Sequence, residues 1–178
     1  MRRTRGYPEA WLFTDERMTD GLWRALDRLA RGAGVILRHH GAPDRAALGA
    51  GVARVARRRG LRLLVADDPR LARALRAGLH QNPPVRPLRW RGRLRTATAH
   101  DLPELRAAER AGAGLVFLSP VFATRTHPGA RTLGRARFGL LARAARVPVA
   151  ALGGVTRARY RGLRALGATA WGAIDAHL

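Results

Sequence analysis

Residues 115–134, LVFLSPVFATRTHPGARTLG, decide how the rest of the chain is read. Leu115 to Leu118 is short, wholly apolar and preceded by the turn signal Ala111-Gly112-Ala113-Gly114, which predicts a buried strand. At Ser119-Pro120 the apolar run stops and a loop opens, dense with small hydroxyls and carrying Arg125 and His127. A buried strand that ends in a polar loop bearing Gly and Pro is the pattern of an α/β protein with its chemistry on strand C-termini.

Working outward from this strand, seven more apolar runs read the same way: 10–13, 35–37, 61–66, 79–80, 94–98, 148–152 and 168–174. Helical spacing and capping residues predict helices between most of them, over 22–31, 44–59, 69–77, 101–110, 135–145 and 156–166. Asp101 caps its helix with Glu104 three residues on, an acidic relative of the capping box. The segment 81–92, QNPPVRPLRWRG, holds Pro83, Pro84 and Pro87, and no helix fits it. Eight strands alternating with helices, with polar clusters after nearly every strand, predict a compact single-domain (β/α)8 barrel over 1–178. The shortfall against the usual length of about 250 residues falls after strand four and after strand eight, where only 175–178 remain. A doubly wound open sheet is the alternative, without a G-x-G-x-x-G after the first strand to support it.

Composition narrows the chemistry. The chain has no cysteine, which excludes disulfides, thiolate nucleophiles and Cys-based metal sites. All 34 basic residues are Arg, so Schiff-base catalysis through lysine is excluded as well. Scarcity of Lys, Asn and Ile together, the residues with AT-rich codons, attributes much of the +22 charge to GC-rich coding. The arginines also spread over every helical segment and form no single stripe, which argues against nucleic acid as the main partner, although an Arg-rich polyanion- or RNA-binding protein stays an alternative. No apolar run approaches the roughly 18 residues of a membrane span, and the basic N-terminus lacks the apolar core of a signal peptide. A cytoplasmic protein without a membrane partner is expected, and nothing in the residues fixes an oligomeric state.

The strand ends present a ring: Thr14 and Asp15; Arg38, His39 and His40; Asp67 and Asp68; His80; Thr98 and His100; Ser119, Thr124, Arg125, Thr126 and His127; Gly153 and Gly154; Gly172 and Asp175. Five of the six histidines fall in it. Of Asp67 and Asp68, one is expected to cap the helix that starts at Pro69, leaving the other as a possible Mg2+ ligand. His80 and His100 read equally well as buried, satisfied histidines. Gly153-Gly154 follows strand seven, where barrels commonly bind phosphate through main-chain N–H groups and a helix N-terminus. Cations, hydroxyls, bare backbone and one or two carboxylates suit a phosphorylated substrate with Mg2+.

Several of these segments together resemble the thiamine phosphate synthase/TenI family: LRHH at 37–40, VADD at 65–68, GLH at 78–80, TATAH at 96–100, GAGLVFLSPVFATRTHPG at 112–129, PVAALGGV at 148–155 and GATAWGAI at 167–174. The resemblance implies a compact (β/α)8 barrel and a transferase of thiamine biosynthesis. Its reaction joins hydroxymethylpyrimidine diphosphate to thiazole phosphate with Mg2+ and releases pyrophosphate. By the same resemblance Arg38 holds the diphosphate, Asp67 binds Mg2+ and Thr98 lies near the pyrimidine. Thr124, Thr126 and Gly154 face the thiazole phosphate, with Ser119 and Gly153 beside them. His40 and His127 stand where the synthases have lysines, and the resemblance gives both a part in charge neutralisation. Ala66 replaces an asparagine, the region after strand four lacks the family's second Mg2+ aspartate, and Asp175 occupies a phosphate-contacting position usually held by serine. Pro120 stands where TenI-type thiazole tautomerases carry their marker histidine. Two alternatives of different class stay open: a TenI-like tautomerase, and a divergent member that binds a phosphorylated, pyrimidine or thiazole ligand without turnover.

Overall fold

The structure is a computed structural model that describes residues 6–19, 21–90, 93–124, 129 and 131–174. Eight strands run parallel in sequence order: β1 (Ala10–Phe13), β2 (Gly34–Leu37), β3 (Arg62–Ala66), β4 (Gly78–Gln81), β5 (Arg95–Ala99), β6 (Leu115–Leu118), β7 (Val149–Ala151) and β8 (Ala168–Ala173). The sheet closes on itself, β8 pairing with β1 through Ala10–Trp171, Trp11–Gly172 and Leu12–Ala173. Closure removes the open-sheet alternative. The outer layer consists of α1 (Gly21–Arg28), α2 (Arg45–Arg59), α3 (Pro69–Ala74), α4 (Leu102–Arg110), α5 (Gly134–Ala144) and α6 (Arg157–Arg164). These follow β1, β2, β3, β5, β6 and β7 in turn; after β4 the Pro-rich segment stands in place of a helix.

Strand-facing periodicity divides the apolar residues into three layers. Trp11, Phe13, Ile36, Leu64, Ala66, Leu115, Phe117, Ala150 and Ala170 point into the barrel. The alternate residues pack under the helices in two further clusters, one beneath α1–α3 and one beneath α4–α6. Inside, Phe117 meets Trp11 and Phe13 edge to face, with centroids 5.7 and 4.9 Å away. Three aromatic rings fit because a neighbour yields: a Cβ on Gly34, the register partner of Trp11, would lie 2.1 Å from the indole.

Caps fix the helix starts from the sequence. Asp44, Asp68, Asp101 and Thr156 accept from the main-chain N–H three residues on, at 2.8, 2.9, 2.9 and 3.3 Å. Most boundaries fall within two residues of expectation; the first helix ends at Arg28, three residues early, and two further differences have a visible cause. The third helix stops at Ala74, because Arg76 takes a left-handed φ of 54° and Ala77 N–H returns to Ala72 O. The fourth strand spans four residues, not two, because Gly78 and Gln81 join the ladder.

The Pro-rich segment begins at the barrel mouth, with Asn82 and Pro83, and then runs down the side, packing Val85, Leu88 and Trp90 against the outer layers. Prolines offer no N–H, so the segment leaves carbonyls to be satisfied. Arg95 does this from β5: its buried guanidinium donates to the carbonyls of Arg86, Leu88 and Ala111 and to Gln81 Oε1. Burial lowers its pKa, yet guanidinium stays charged far above neutral pH. No helix among the described residues is long and apolar enough to cross a membrane.

Candidate functional site

A cavity of about 980 Å³ opens at the C-terminal ends of the strands. Arg38, His40, Thr98, Ser119, Thr124, Gly153 and Gly154 all line it. So does His100, whose Nδ1 donates to Ser119 O at 2.7 Å. Arg125, Thr126, His127 and Asp175, also singled out from the sequence, lie outside the described residues.

At one side stand the tips of β2 and β3. Thr14 Oγ1 accepts from the Arg38 N–H at 3.1 Å and shares a 2.8 Å hydrogen bond with His39 Nδ1. His39 is therefore turned inward and buried, and burial lowers its pKa, whereas Arg38 and His40 face the cavity. Asp15 Oδ2 lies 3.8 Å from the Arg38 guanidinium. The Asp15 carboxyl is held below its usual range chiefly by the hydrogen bond from Arg17, at 2.6 Å.

Asp67 and Asp68 divide their work as their sequence implies. Asp68 caps α3, and Asp67 is the one left for other duties. The Asp67 carboxylate is received by Asn82, whose main-chain N–H donates to Oδ1 at 2.9 Å and whose Nδ2 donates to Oδ2 at 2.7 Å. His40 Nε2 approaches the same Oδ2 at 3.8 Å. Among the described residues no three His, Asp or Glu side chains converge to hold a metal. The side chain of Asp67 is still 36% exposed, and a carboxylate has lone pairs beyond the two that Asn82 engages. That fits Mg2+, which is usually held by one or two carboxylates with ligand oxygens and water supplying the rest.

The middle of the floor is set by His80. Its Nδ1 pairs with Thr96 Oγ1 at 2.7 Å and its Nε2 with Thr98 Oγ1 at 3.1 Å, so the ring is satisfied and fully buried. Burial pushes its pKa down to about 4, so at neutral pH it is an uncharged ring that orients the Thr98 hydroxyl toward the cavity.

Across the barrel, four strands on from β3, the turn after β7 meets the loop after β6. Val121 N–H donates to Leu152 O at 2.9 Å and Phe122 N–H to Gly153 O at 3.0 Å. Gly153 and Gly154 take φ of 85° and 60°. A Cβ on Gly154 would sit 2.4 Å from Ala123 O, so both conformation and space require glycine there. Arg159 is fixed over this turn, with Nη1 donating to Gly154 O at 2.6 Å and the guanidinium 4.9 Å from the Phe122 ring. Arg131 and Arg137 line the same side of the cavity as Thr156 and Gly154.

Sequence reading missed Asn82, Arg131, Arg137 and Arg159. Asn82 carried a usable signal, as the sole polar residue between the end of β4 and two prolines. The arginines carried none, since every helical segment of this chain bears arginine.

The comparisons agree with this geometry. A family model described as thiamine monophosphate synthase matches residues 11–176. A curated protein of Aquifex aeolicus (strain VF5) named "Putative thiamine-phosphate synthase 2" is 39% identical over 59 residues, 33% of this chain and only 32% of that relative's length. Two solved structures show the fold. One, titled thiamine phosphate pyrophosphorylase from Pyrococcus furiosus, superposes with a TM-score of 0.82 at 23% identity over 97% of this chain and 88% of that one. The other, a thiamine phosphate pyrophosphorylase from Bacteroides thetaiotaomicron, has a TM-score of 0.61 at 17% identity over 94% and 82% of the two chains. With nearly the whole barrel, from the first strand to beyond the last, inside the family match, the chain belongs to the thiamine monophosphate synthase family.

Proposed function

We propose that the protein is a transferase of thiamine biosynthesis that joins hydroxymethylpyrimidine diphosphate to thiazole phosphate, yielding thiamine phosphate and pyrophosphate. One observation carries this reading: a single cavity has two ends suited to anions, on opposite sides of the barrel. Arg38 and His40, with Asp67 beside them, make one end; the Gly153-Gly154 turn with Arg159 makes the other.

In this reading the C–O bond between the pyrimidine methylene and the diphosphate breaks, and its electron pair leaves with pyrophosphate. The thiazole ring nitrogen then supplies the pair for the new C–N bond to that methylene. Arg38 and His40 stabilise the departing negative charge, the kind of preorganised electrostatic help that is usually the largest catalytic contribution. Bound at Asp67, Mg2+ would add charge neutralisation to the leaving group. Thr98, oriented by His80, contacts the pyrimidine, while Thr124, Ser119, Gly153, Gly154 and Arg159 hold the thiazole phosphate in line. Thr126 and His127 belong to the same proposal by their sequence positions.

Incubating the protein with both phosphorylated precursors and Mg2+ tests this. Thiamine phosphate and pyrophosphate in equal amounts are expected; no product at high enzyme concentration overturns the reading. Binding without turnover is the second reading, favoured by the absence, among the described residues, of a group of three His, Asp or Glu side chains around Asp67. It predicts thermal stabilisation by pyrophosphate together with an empty product channel.

A further inference from the structure

Two residues at the mouth have left-handed backbone, His39 with φ 25° and Asp67 with φ 54°. Each stands where a strand leaves the barrel, β2 after Leu37 and β3 after Ala66. Non-glycine residues pay about 1–3 kcal/mol for such conformations and keep them only where the surroundings over-determine them. Thr14 holds the His39 ring, Asn82 and the His80 carbonyl hold Asp67, and one further side chain joins the two tips. Arg45, in the first turn of α2 and only 16% exposed, donates from Nη2 to Arg38 O at 2.9 Å and to Ala66 O at 2.7 Å. Leu37 O lies at 3.5 Å from the same nitrogen, and Nη1 reaches Asp68 Oδ2 at 3.3 Å.

One guanidinium thus ties together the carbonyl of Arg38 and the carbonyl just before Asp67. It also holds the cap of α3 that begins beside Asp67. Its Nε is buried without a hydrogen-bond partner among the described residues. A buried donor left unmade costs of order 1–3 kcal/mol, so this placement is poor as a stability device. What it achieves is the relative position of two strand tips, one carrying Arg38 on the cavity wall and the other carrying Asp67, which lies behind the lining residues His40 and Asn82. We infer that Arg45 is a positioning residue, fixing Arg38 and Asp67 at the separation that binds a diphosphate group. Resting on the functional reading above, this assigns a task to a residue that touches no ligand itself.

Lysine cannot substitute. An ammonium is a point donor on a flexible stem, whereas the guanidinium presents a rigid fork that reaches two strand tips and a carboxylate together.

The test measures binding of inorganic pyrophosphate in Mg2+ by calorimetry for the wild type, Arg45→Lys and Arg45→Met, with unfolding midpoints and thiazole phosphate affinity alongside. Both variants are expected to bind pyrophosphate at least tenfold more weakly and to keep thiazole phosphate affinity within twofold. Wild-type pyrophosphate affinity in Arg45→Met overturns the inference. So does a parallel loss of both affinities with the unfolding midpoint, which is the signature of a merely structural residue, and so does full rescue by Arg45→Lys. A wild type that binds pyrophosphate but forms no thiamine phosphate sinks the synthase reading alone and leaves this comparison intact.

Discussion

Asn82 holds both oxygens of Asp67, one from its main-chain N–H and one from its side-chain amide. The carboxylate therefore meets an incoming ligand in one orientation, without the rotamer entropy an unrestrained aspartate would lose on binding. Asn82→Ala removes the side-chain half of this clamp at a half-buried surface position. Calorimetry should show about tenfold weaker pyrophosphate binding in Mg2+, equivalent to ~1.4 kcal/mol, with a nearly unchanged unfolding midpoint. Asn82→Asp places a second carboxylate beside Asp67 and should lower the Mg2+ concentration needed for half-maximal pyrophosphate binding. An unchanged Mg2+ requirement contradicts a metal at this end.

The buried His80 makes stability depend on pH with a definite sign. Its folded pKa of about 4 lies below the unfolded value near 6.5, so the unfolded chain binds more protons between these limits. Stability is then fully present above pH ~6.5 and falls as pH drops toward ~4, by roughly 3 kcal/mol from this group. His39, whose pKa burial also lowers, adds to the loss in the same direction. Urea unfolding across pH 4.5–7.5 should show the slope, and His80→Gln should flatten most of it. A slope unchanged by that substitution would assign the effect elsewhere.

Gly154→Ala puts a methyl against the carbonyl of Ala123 and an alanine at φ 60°. Together these should cost about 2–3 kcal/mol, because the obstructing atom is backbone and cannot swing aside. Thiazole phosphate affinity should fall at least tenfold, while pyrophosphate binding at the other end stays within twofold. Equal losses at both ends would contradict separate anion subsites.

Arg95→Met leaves the carbonyls that line the Pro-rich segment without their donor. With about 1–3 kcal/mol for each buried group left unpaired, a loss of ~3 kcal/mol in chemical denaturation is expected. Faster trypsin cleavage at Arg86 or Arg89 should accompany it, since three of the four acceptors that lose their donor (Gln81, Arg86 and Leu88) belong to that segment. Uniformly faster cleavage over the whole chain would argue against a local role.

The fold was legible because each level of the sequence agreed. Leu115–Leu118 is buried at every residue, as its apolar run implied, and the Asp-Pro and Asp-Leu-Pro starts of α3 and α4 are capped as written. Parallel strands buried on both faces leave little ambiguity of type. The site was legible only where residue type is informative, as for the histidines and the glycine pair. Arg45 and Arg95 were invisible because guanidinium is so common here that no pattern separates a surface charge from a buried tie. Asn82 showed only as a lone polar residue before two prolines; its partner, fifteen residues away, is set by the pairing of β3 with β4 and not by spacing.

The aromatic packing of Trp11, Phe13 and Phe117 over the glycine of β2 also has a kinetic side. Phe13 forms part of the cavity floor, and the interior beneath it is filled. Whatever enters from the open end must leave by the same door. Under the proposed reaction both substrates and both products would share this passage, so a bound product would compete with the next arrival for the open end.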